Sequence, residues 1–420
     1  MNDRPRDLDD DALLDHVQRQ TFRYFWEFAH PASGLSRERS NSVFGYGQET
    51  VTSGGSGFGV MAIVVAAHRE WIARNEAVAR LLKIARFLQK ASSYHGVFPH
   101  FMHGETGRTI PFSRKDDGGD IVETSFLIAG LLCARQYFSA GNAAEGELRD
   151  RINSLWRQVE WDWHTRDNAT VLFWHWSPNN GWSMNHEIRG WNECLITYVL
   201  AAASPCYPIS ADVYHRGWAQ GRDFRNGRSY YDIELPLGPD YGGPLFFAHY
   251  SFLGLDPRGL KDIYADYWEQ NVRHVLINRE HCIRNPRAYK GYGAHCWGLT
   301  ASDNDQGYSA HAPQNDLGVI TPTAALSSFP YSPDHCMQAL RHFYDRLGDR
   351  IWGEFGFRDS FCESRNWYAE SYLAIDQGPI VGMIENHRSG LLWQLFMSCA
   401  EVHDGLRKLG FDSPHLREGV

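Results

Sequence analysis

Residues 57–73 and 120–139 are apolar on nearly every side of a helix, and each is followed by a stretch, 76–92 and 144–159, with one apolar and one charged face. A helix that is apolar all round must be covered on every side, whereas an amphipathic one meets water along one face. The alternation predicts an inner set of helices wrapped by an outer set. Val78, Leu81, Leu82, Ala85 and Leu88 recur at helical spacing, as do Leu13, Leu14, Val17, Phe22, Phe25 and Trp26 within 11–30. Further helices are expected near 190–203, 210–220, 260–278, 319–327, 333–347, 376–385 and 387–403. The twelve form hairpin pairs and close two concentric rings, an all-α helical toroid. A helical solenoid is the alternative, but no fixed repeat is visible.

A chain of 420 residues ordinarily suggests two domains, yet a toroid uses this length as one. The expectation is one catalytic domain over 1–420, with 1–10 a flexible tail. The connections 94–119, 160–189, 222–259 and 283–318 are rich in Gly and aromatic residues, and loops of that length carry function more often than they merely link. Short strands are expected within them, for example over Thr170–Trp176.

The net charge of −9 and the lack of a basic run exclude nucleic acid as a partner. No apolar run reaches the ~18 residues that span a bilayer, so no membrane partner is expected. The start, Met1–Asp7, has no apolar leader segment, which points to the cytoplasm as written, or to the periplasm or secretion if a leader has been removed. The eight Cys form no C-x-x-C, which argues against a zinc module, and Cys133 in Leu131-Leu132-Cys133-Ala134 reads as a buried free thiol. His100, His103 and His281 lack an H-E-x-x-H pattern, and Gly54–Gly59 lacks the Lys-Ser/Thr of a phosphate loop, so no metal and no cofactor are expected. The 15 Trp suit a cleft that stacks the flat apolar faces of sugar rings.

The segment Lys115-Asp116-Asp117-Gly118-Gly119-Asp120-Ile121-Val122-Glu123 stands just before an inner helix. Asp120 with Glu123 three residues on has the form of a capping box, and acids favour a helix N-terminus in any case. Asp116 and Asp117 are superfluous to capping. Crowded carboxylates raise one another's pKa and can keep one protonated as a general acid. In Gly190-Trp191-Asn192-Glu193-Cys194, Glu193 opens another apolar helix, where an acid is more often functional or paired than idle. Glycoside hydrolysis needs two carboxyl groups, held about 6.5–9.5 Å apart when the anomeric centre inverts. Side chains one helical turn apart have Cβ atoms only about 5–6 Å apart. Glu193 with Asp120 or Glu123 therefore suits inversion better than Asp120 with Glu123.

Several motifs in order resemble the glucoamylase-like domain of glycoside hydrolase family 144. They are Gly54–Gly59, Asp116–Glu123, Gly190–Glu193, Gly242–Phe247 with His249–Phe252, Cys296–Asp303, Ala374–Pro379 and Ile384–Asn386. The resemblance runs from about residue 15 to 400. It implies an (α/α)6 barrel acting on β-1,2-glucan with inversion, and it marks Asp116, Asp120, Glu123 and Glu193 as the matching acids. Glu193 as general acid and Asp120 as base toward water, assisted by Glu123 and Asp116, is the assignment taken forward; the reverse is the alternative.

Trp182, Trp297, Trp352 and Trp367 lie in loops and are candidates to stack on glucose rings. Asp303, Asp376, Gln377 and Glu385 are candidates to hydrogen-bond sugar hydroxyls or orient water, with Asp376 alternatively capping helix 376–385; His249 and Arg114 are weaker candidates. The leading function is an endo-hydrolase of β-1,2-glucan. Its rivals are an exo-hydrolase or glucosyltransferase on β-1,2-gluco-oligosaccharides, a polysaccharide lyase, which the acidic segments disfavour, and a non-catalytic sugar-binding protein.

Overall fold

In the computed structural model, residues 4–41 and 47–417 are described. They form thirteen α-helices: α1 Asp10–Trp26, α2 Ser53–His68, α3 Arg74–Leu88, α4 Ile121–Tyr137, α5 Ala143–Gln158, α6 Leu195–Ala203, α7 Tyr267–Arg284, α8 Pro322–Leu326, α9 Pro333–Arg341, α10 Gly348–Ile351, α11 Ala374–Arg388, α12 Leu391–Met397 and α13 Ala400–Lys408. Helices α2, α4, α6, α8 and α11 are buried along almost their whole length. The sixth inner position is filled by two single 3-10 turns, Leu245–Ala248 and Ser251–Leu253, in a connection expected to be loop. α2 packs on α4 and α11, α4 on α6, both α6 and α11 on Ser251–Leu253, and α8 on α11. That closes the inner ring. α1, α3, α5 and α9 cover it from outside, each burying one face. The main apolar core runs from Leu13 to Phe411, and Tyr230, Leu235 and Ile277 form a small separate cluster.

Where boundaries differ from expectation, local chemistry explains the shift. α7 begins at Tyr267 because Asp266 caps it, accepting from the N–H groups of Trp268 and Glu269 at 3.1 and 3.2 Å. The segment expected as one helix over 387–403 is broken twice: Gly390, left-handed at φ 71°, separates α11 from α12, and the chain turns at Ser398–Cys399 between α12 and α13. The segment 210–220 is a π-helical turn, Val213–Gly217, followed by the 3-10 turn Trp218–Gln220. Residues 4–9 are not a loose tail: Arg4 lies over the Tyr344 ring at 5.1 Å, and Asp9 caps α1 by accepting from Ala12 N–H at 2.8 Å.

α2 and α4 touch backbone to backbone. A Cβ on Gly57 would lie 2.2 Å from the Phe126 carbonyl oxygen, and one on Gly130 would lie 2.1 Å from that of Gly57. The glycine-rich run is thus the contact surface of an inner helix rather than a loop leading into one.

The long connections fold into small antiparallel hairpins. Thr50–Thr52, Phe101–His103 and Thr109–Ile110 form three strands; Gly119–Asp120 pairs with His175–Trp176; Ala301–Asn304 pairs with Gly307–Ala310. The strand expected over Thr170–Trp176 is confined to its last two residues. Three inner helices, α2, α4 and α11, start within a residue or two of such a pairing. Their N-termini therefore converge on the hairpin layer, with dipoles that favour carboxylates there.

Candidate active site

Asp120 is the N-cap of α4. Its Oδ1 accepts from Val122 and Glu123 N–H at 3.0 and 2.9 Å. The capping role is real, but it uses only one oxygen. Oδ2 faces His100 Nδ1 at 3.1 Å and His175 Nε2 at 3.7 Å, and His175 Nε2 also lies 3.3 Å from Asp116 Oδ2. His175 is delivered by its pairing with Asp120 across the two short strands. Asp117 holds the adjoining turn through Ser177 Oγ, Asn179 Nδ2 at 2.7 Å and Asn180 Nδ2 at 3.1 Å. Glu123, one turn into α4, receives Gly54 N–H at 2.8 Å and Thr52 Oγ1 at 3.4 Å. A Cβ at position 54 would sit 2.4 Å from that carboxylate, so glycine is what lets the main chain of α2 reach it.

The carboxyls divide electrostatically. Burial opposes ionisation of Asp120, but the His100 hydrogen bond and the nearby imidazoles outweigh it and hold Asp120 below the usual carboxylate range. Burial and the charge of Asp120 push Asp116 up to about 7. Burial raises Glu123 as well. His100 keeps its proton to about 9 despite burial, because Glu123 and Asp120 favour its charge; His175, desolvated, falls to about 4.

Glu193 lies in the turn just before α6, where Asn192 Oδ1 takes Cys194 N–H at 2.9 Å and Ser251 Oγ donates to the Glu193 carbonyl. Burial lifts its carboxyl to about 7, with Glu123 and Asp120 adding to the rise. Glu193 is thus within electrostatic reach of Glu123 and Asp120. Tyr250 connects it to a second wall: its phenol is kept protonated by burial and then by the charges of Asp376, Glu193 and Glu123.

That second wall is an ion-pair network. Arg39 Nη1 meets both oxygens of Asp303 at 3.1 and 3.0 Å, and its Nε meets Glu38 at 2.8 Å. Asp303 N–H donates to Asp359 Oδ2 at 2.7 Å, and Ser371 Oγ donates to Asp303 Oδ2 at 2.6 Å. Burial and the neighbouring Asp303 charge push Asp359 to about 7; burial and Asp359 raise Asp376 well above its ordinary value. Asp376 caps nothing, since neither of its oxygens accepts a hydrogen bond. Asp303 and Trp367 line the same cavity.

Other expected site residues lie elsewhere. Trp297 is wholly buried, and Trp352 packs on His16 at 5.2 Å and Phe357 at 4.9 Å, so neither offers a face to a sugar. His249 is buried against Ser328 Oγ at 2.9 Å, and burial takes its pKa down to about 3. Gln377 ties the carbonyls of Phe355 and Phe357, both at 3.1 Å. Glu385 is locked by Arg69 at 2.8 and 2.9 Å at the far end of α11. Trp182 is half-buried beside Trp163, His164 and Phe173. Arg114 is exposed on the rim loop. Sequence reasoning did not assign His100, His175, Arg39, Glu38, Asp359 or Tyr250 to the site, although His175 stands in the aromatic run Phe173–Trp176 and Tyr250 in the motif His249–Phe252.

Two groups among the described residues offer three metal-ligating atoms within 4.8 Å of one another: Asp116, Asp120 and His175 in the centre, and Cys296, His342 and Glu363 on other segments. No helix of the described residues is long and apolar enough to cross a membrane.

The Glycoamylase family model, described as "Putative glucoamylase", matches residues 185–400, a span that includes Glu193. A curated Parabacteroides distasonis protein, an exo β-1,2-glucooligosaccharide sophorohydrolase acting at the non-reducing end, is 46% identical over 423 residues. That alignment takes in 96% of this chain, which spans 58% of the length of that relative. An endo-β-1,2-glucanase from Chitinophaga pinensis, solved with sophorotriose and glucose, superposes with a TM-score of 0.95 at 56% identity, covering 97% of this chain and 100% of that one. Glucoamylase from Saccharomycopsis fibuligera, 11% identical with a TM-score of 0.55 over 92% of this chain and 97% of its own, shares the fold alone, the helical toroid read here from the alternation of inner and outer helices.

Proposed function

The chain belongs to the glucoamylase-like family, and from that premise we propose that it is a glycoside hydrolase that cleaves β-1,2-linked glucan with inversion of the anomeric centre. The observation that carries this reading is the division of acidity within one buried centre. Asp120 is held ionised while Glu193 is pushed to about 7. A pair split in this way supplies a base and an acid at the same pH.

Glu193 is the general acid that protonates the departing glycosidic oxygen. Asp120 Oδ2 takes a proton from the attacking water, with His100 and His175 orienting the carboxylate. Glu123, held by the main chain of α2, and Asp116 set the local charge. Asp303, beside Arg39, and Trp367 supply sugar contacts on the second wall. The balance is that of hydrolysis: the anomeric C–O bond breaks, water supplies the new oxygen, its proton goes to Asp120, and the leaving oxygen takes the proton of Glu193.

Endo action is the preferred mode, supported by the endo-β-1,2-glucanase that this chain matches over its full length. Exo action is the second reading, supported by the sophorohydrolase relative. Incubation with linear β-1,2-glucan separates them. A ladder of oligosaccharides supports the endo reading, sophorose as the sole product replaces it with the exo reading, and no new reducing ends sinks both. Proton NMR of the first-formed product tests inversion: an initial β-anomer refutes it.

A further inference from the structure

Cys296, His342 and Glu363 come from three segments far apart in the sequence: the loop after α7, the π-helical turn His342–Arg346, and the turn that follows Phe361–Cys362. Each offers one donor atom, and the three lie within 4.8 Å of one another. The group shares no residue with the carboxylate centre. Thiolate, imidazole and carboxylate together are a donor set suited to zinc, whereas magnesium and calcium favour oxygen alone. Around tetrahedral zinc, with bonds of about 2.0–2.3 Å, donor atoms stand roughly 3.3–3.6 Å apart, so the three need draw together by only about an ångström.

Two further observations point to a ligand. His342 Nε2 is buried and has no hydrogen-bond partner. The Glu363 carboxylate lies over Gly291, whose φ is +91° and where a Cβ would stand 2.3 Å from Oε1. The main chain thus leaves room for the carboxylate beside the thiol. Cys296 is itself 2% exposed and closes its loop by exchanging hydrogen bonds with Gly293.

We infer that Cys296, His342 and Glu363 bind one zinc ion as a structural clip. The metal replaces the thiol proton, which leaves to solvent, and a water or the adjacent exposed His295 completes the tetrahedron. The clip fixes the base of the hairpin Ala301–Asn304/Gly307–Ala310, which carries Asp303 to the second wall.

Cobalt titration of the chelator-treated full chain tests this. The expected result is one Co²⁺ per chain with a thiolate-to-cobalt charge-transfer band and strong tetrahedral d–d absorption, both displaced by Zn²⁺. Cys296→Ser should abolish the charge-transfer band. Glu363→Gln should keep the band but weaken affinity by no less than the roughly 10–100-fold that loss of an outer-shell partner costs. Cobalt held by Asp116, Asp120 and His175 gives no such band, because that group contains no sulfur. The inference is overturned if stoichiometric Co²⁺ gives no charge-transfer band or if the band survives in Cys296→Ser. Should Cys296→Ser not fold, unchanged cobalt affinity in both His342→Gln and Glu363→Gln overturns it equally.

Discussion

Replacing Glu193 with Gln removes one proton and little else. The residue is anchored through its main chain, by Ser251 at its carbonyl and by the Asn192 turn, so the variant should fold as the parent does. Burial places the Glu193 carboxyl at about 7. At about pH 6 some nine in ten molecules then carry the proton, and at about pH 8 one in ten. Parent kcat/KM on β-1,2-glucan should therefore fall about tenfold per pH unit above neutrality. A general acid contributes roughly 10²–10⁴-fold, so Glu193→Gln should lose that much in kcat, about 2.7–5.4 kcal/mol of transition-state stabilisation. The assay is reducing-end release across the pH range, run beside an aryl glycoside whose nitrophenolate leaves unprotonated. The aryl substrate should lose far less than the glucan. If glucan hydrolysis stays within about threefold of the parent, or the alkaline limb persists in the variant, the assignment of Glu193 as the acid is wrong.

Three other perturbations are open to measurement. Arg69→Met strands the fully buried Glu385 and should cost about 3–5 kcal/mol in denaturant unfolding at neutral pH; because Arg69 and Ser389 outweigh burial and hold Glu385 low, the pair's contribution is full above the unfolded value of about 4.3 and fades as pH falls through the folded one, so parent and variant should converge in acid, and a constant gap counts against the pairing. Asp359 is raised by burial and then by the Asp303 charge, and Asp376 by burial and then by the Asp359 charge, so their contribution is complete below about pH 4 and is lost as pH rises; Asp376→Asn should make the urea midpoint fall less steeply toward alkaline pH, and a parental slope would falsify the coupling. Gly57→Ala sets a methyl against the Phe126 carbonyl at 2.2 Å and should cost about 1–3 kcal/mol or more; a parental melting temperature would mean that the two helices are not in contact there.

The alternation of fully apolar and amphipathic segments was enough to read the two rings, because α2 and α4 are covered on every side while α3 and α5 bury one face. The sixth inner position was not legible. Leu245–Leu253 turns once, stops and turns again, which leaves too few residues for a period to show. In the site, the acids were visible because Asp116, Asp120 and Glu123 crowd before and into α4, more carboxylates than capping needs, and Glu193 precedes the apolar helix α6. Their partners were not. His100 and Arg39 lie in ordinary-looking stretches, and only tertiary pairing brings them to Asp120 and Asp303. The errors have one cause as well. Trp297, Gln377 and Glu385 carry groups able to bind a sugar, but whether such a group meets solvent or a neighbouring carbonyl is decided by packing that no local pattern records.

Asp120 joins two duties in a single carboxylate, with one oxygen finishing a helix and the other facing the imidazoles. The two duties respond differently to chemistry. Asparagine ends a helix about as well as aspartate does, yet it cannot take up a proton. Asp120→Asn should therefore leave the toroid intact and its cleft shaped for glucan while stopping turnover, whereas alanine would damage both. A chain altered in this one atom would serve as a lectin-like probe for β-1,2-linked chains, retaining a polymer that the parent would cut.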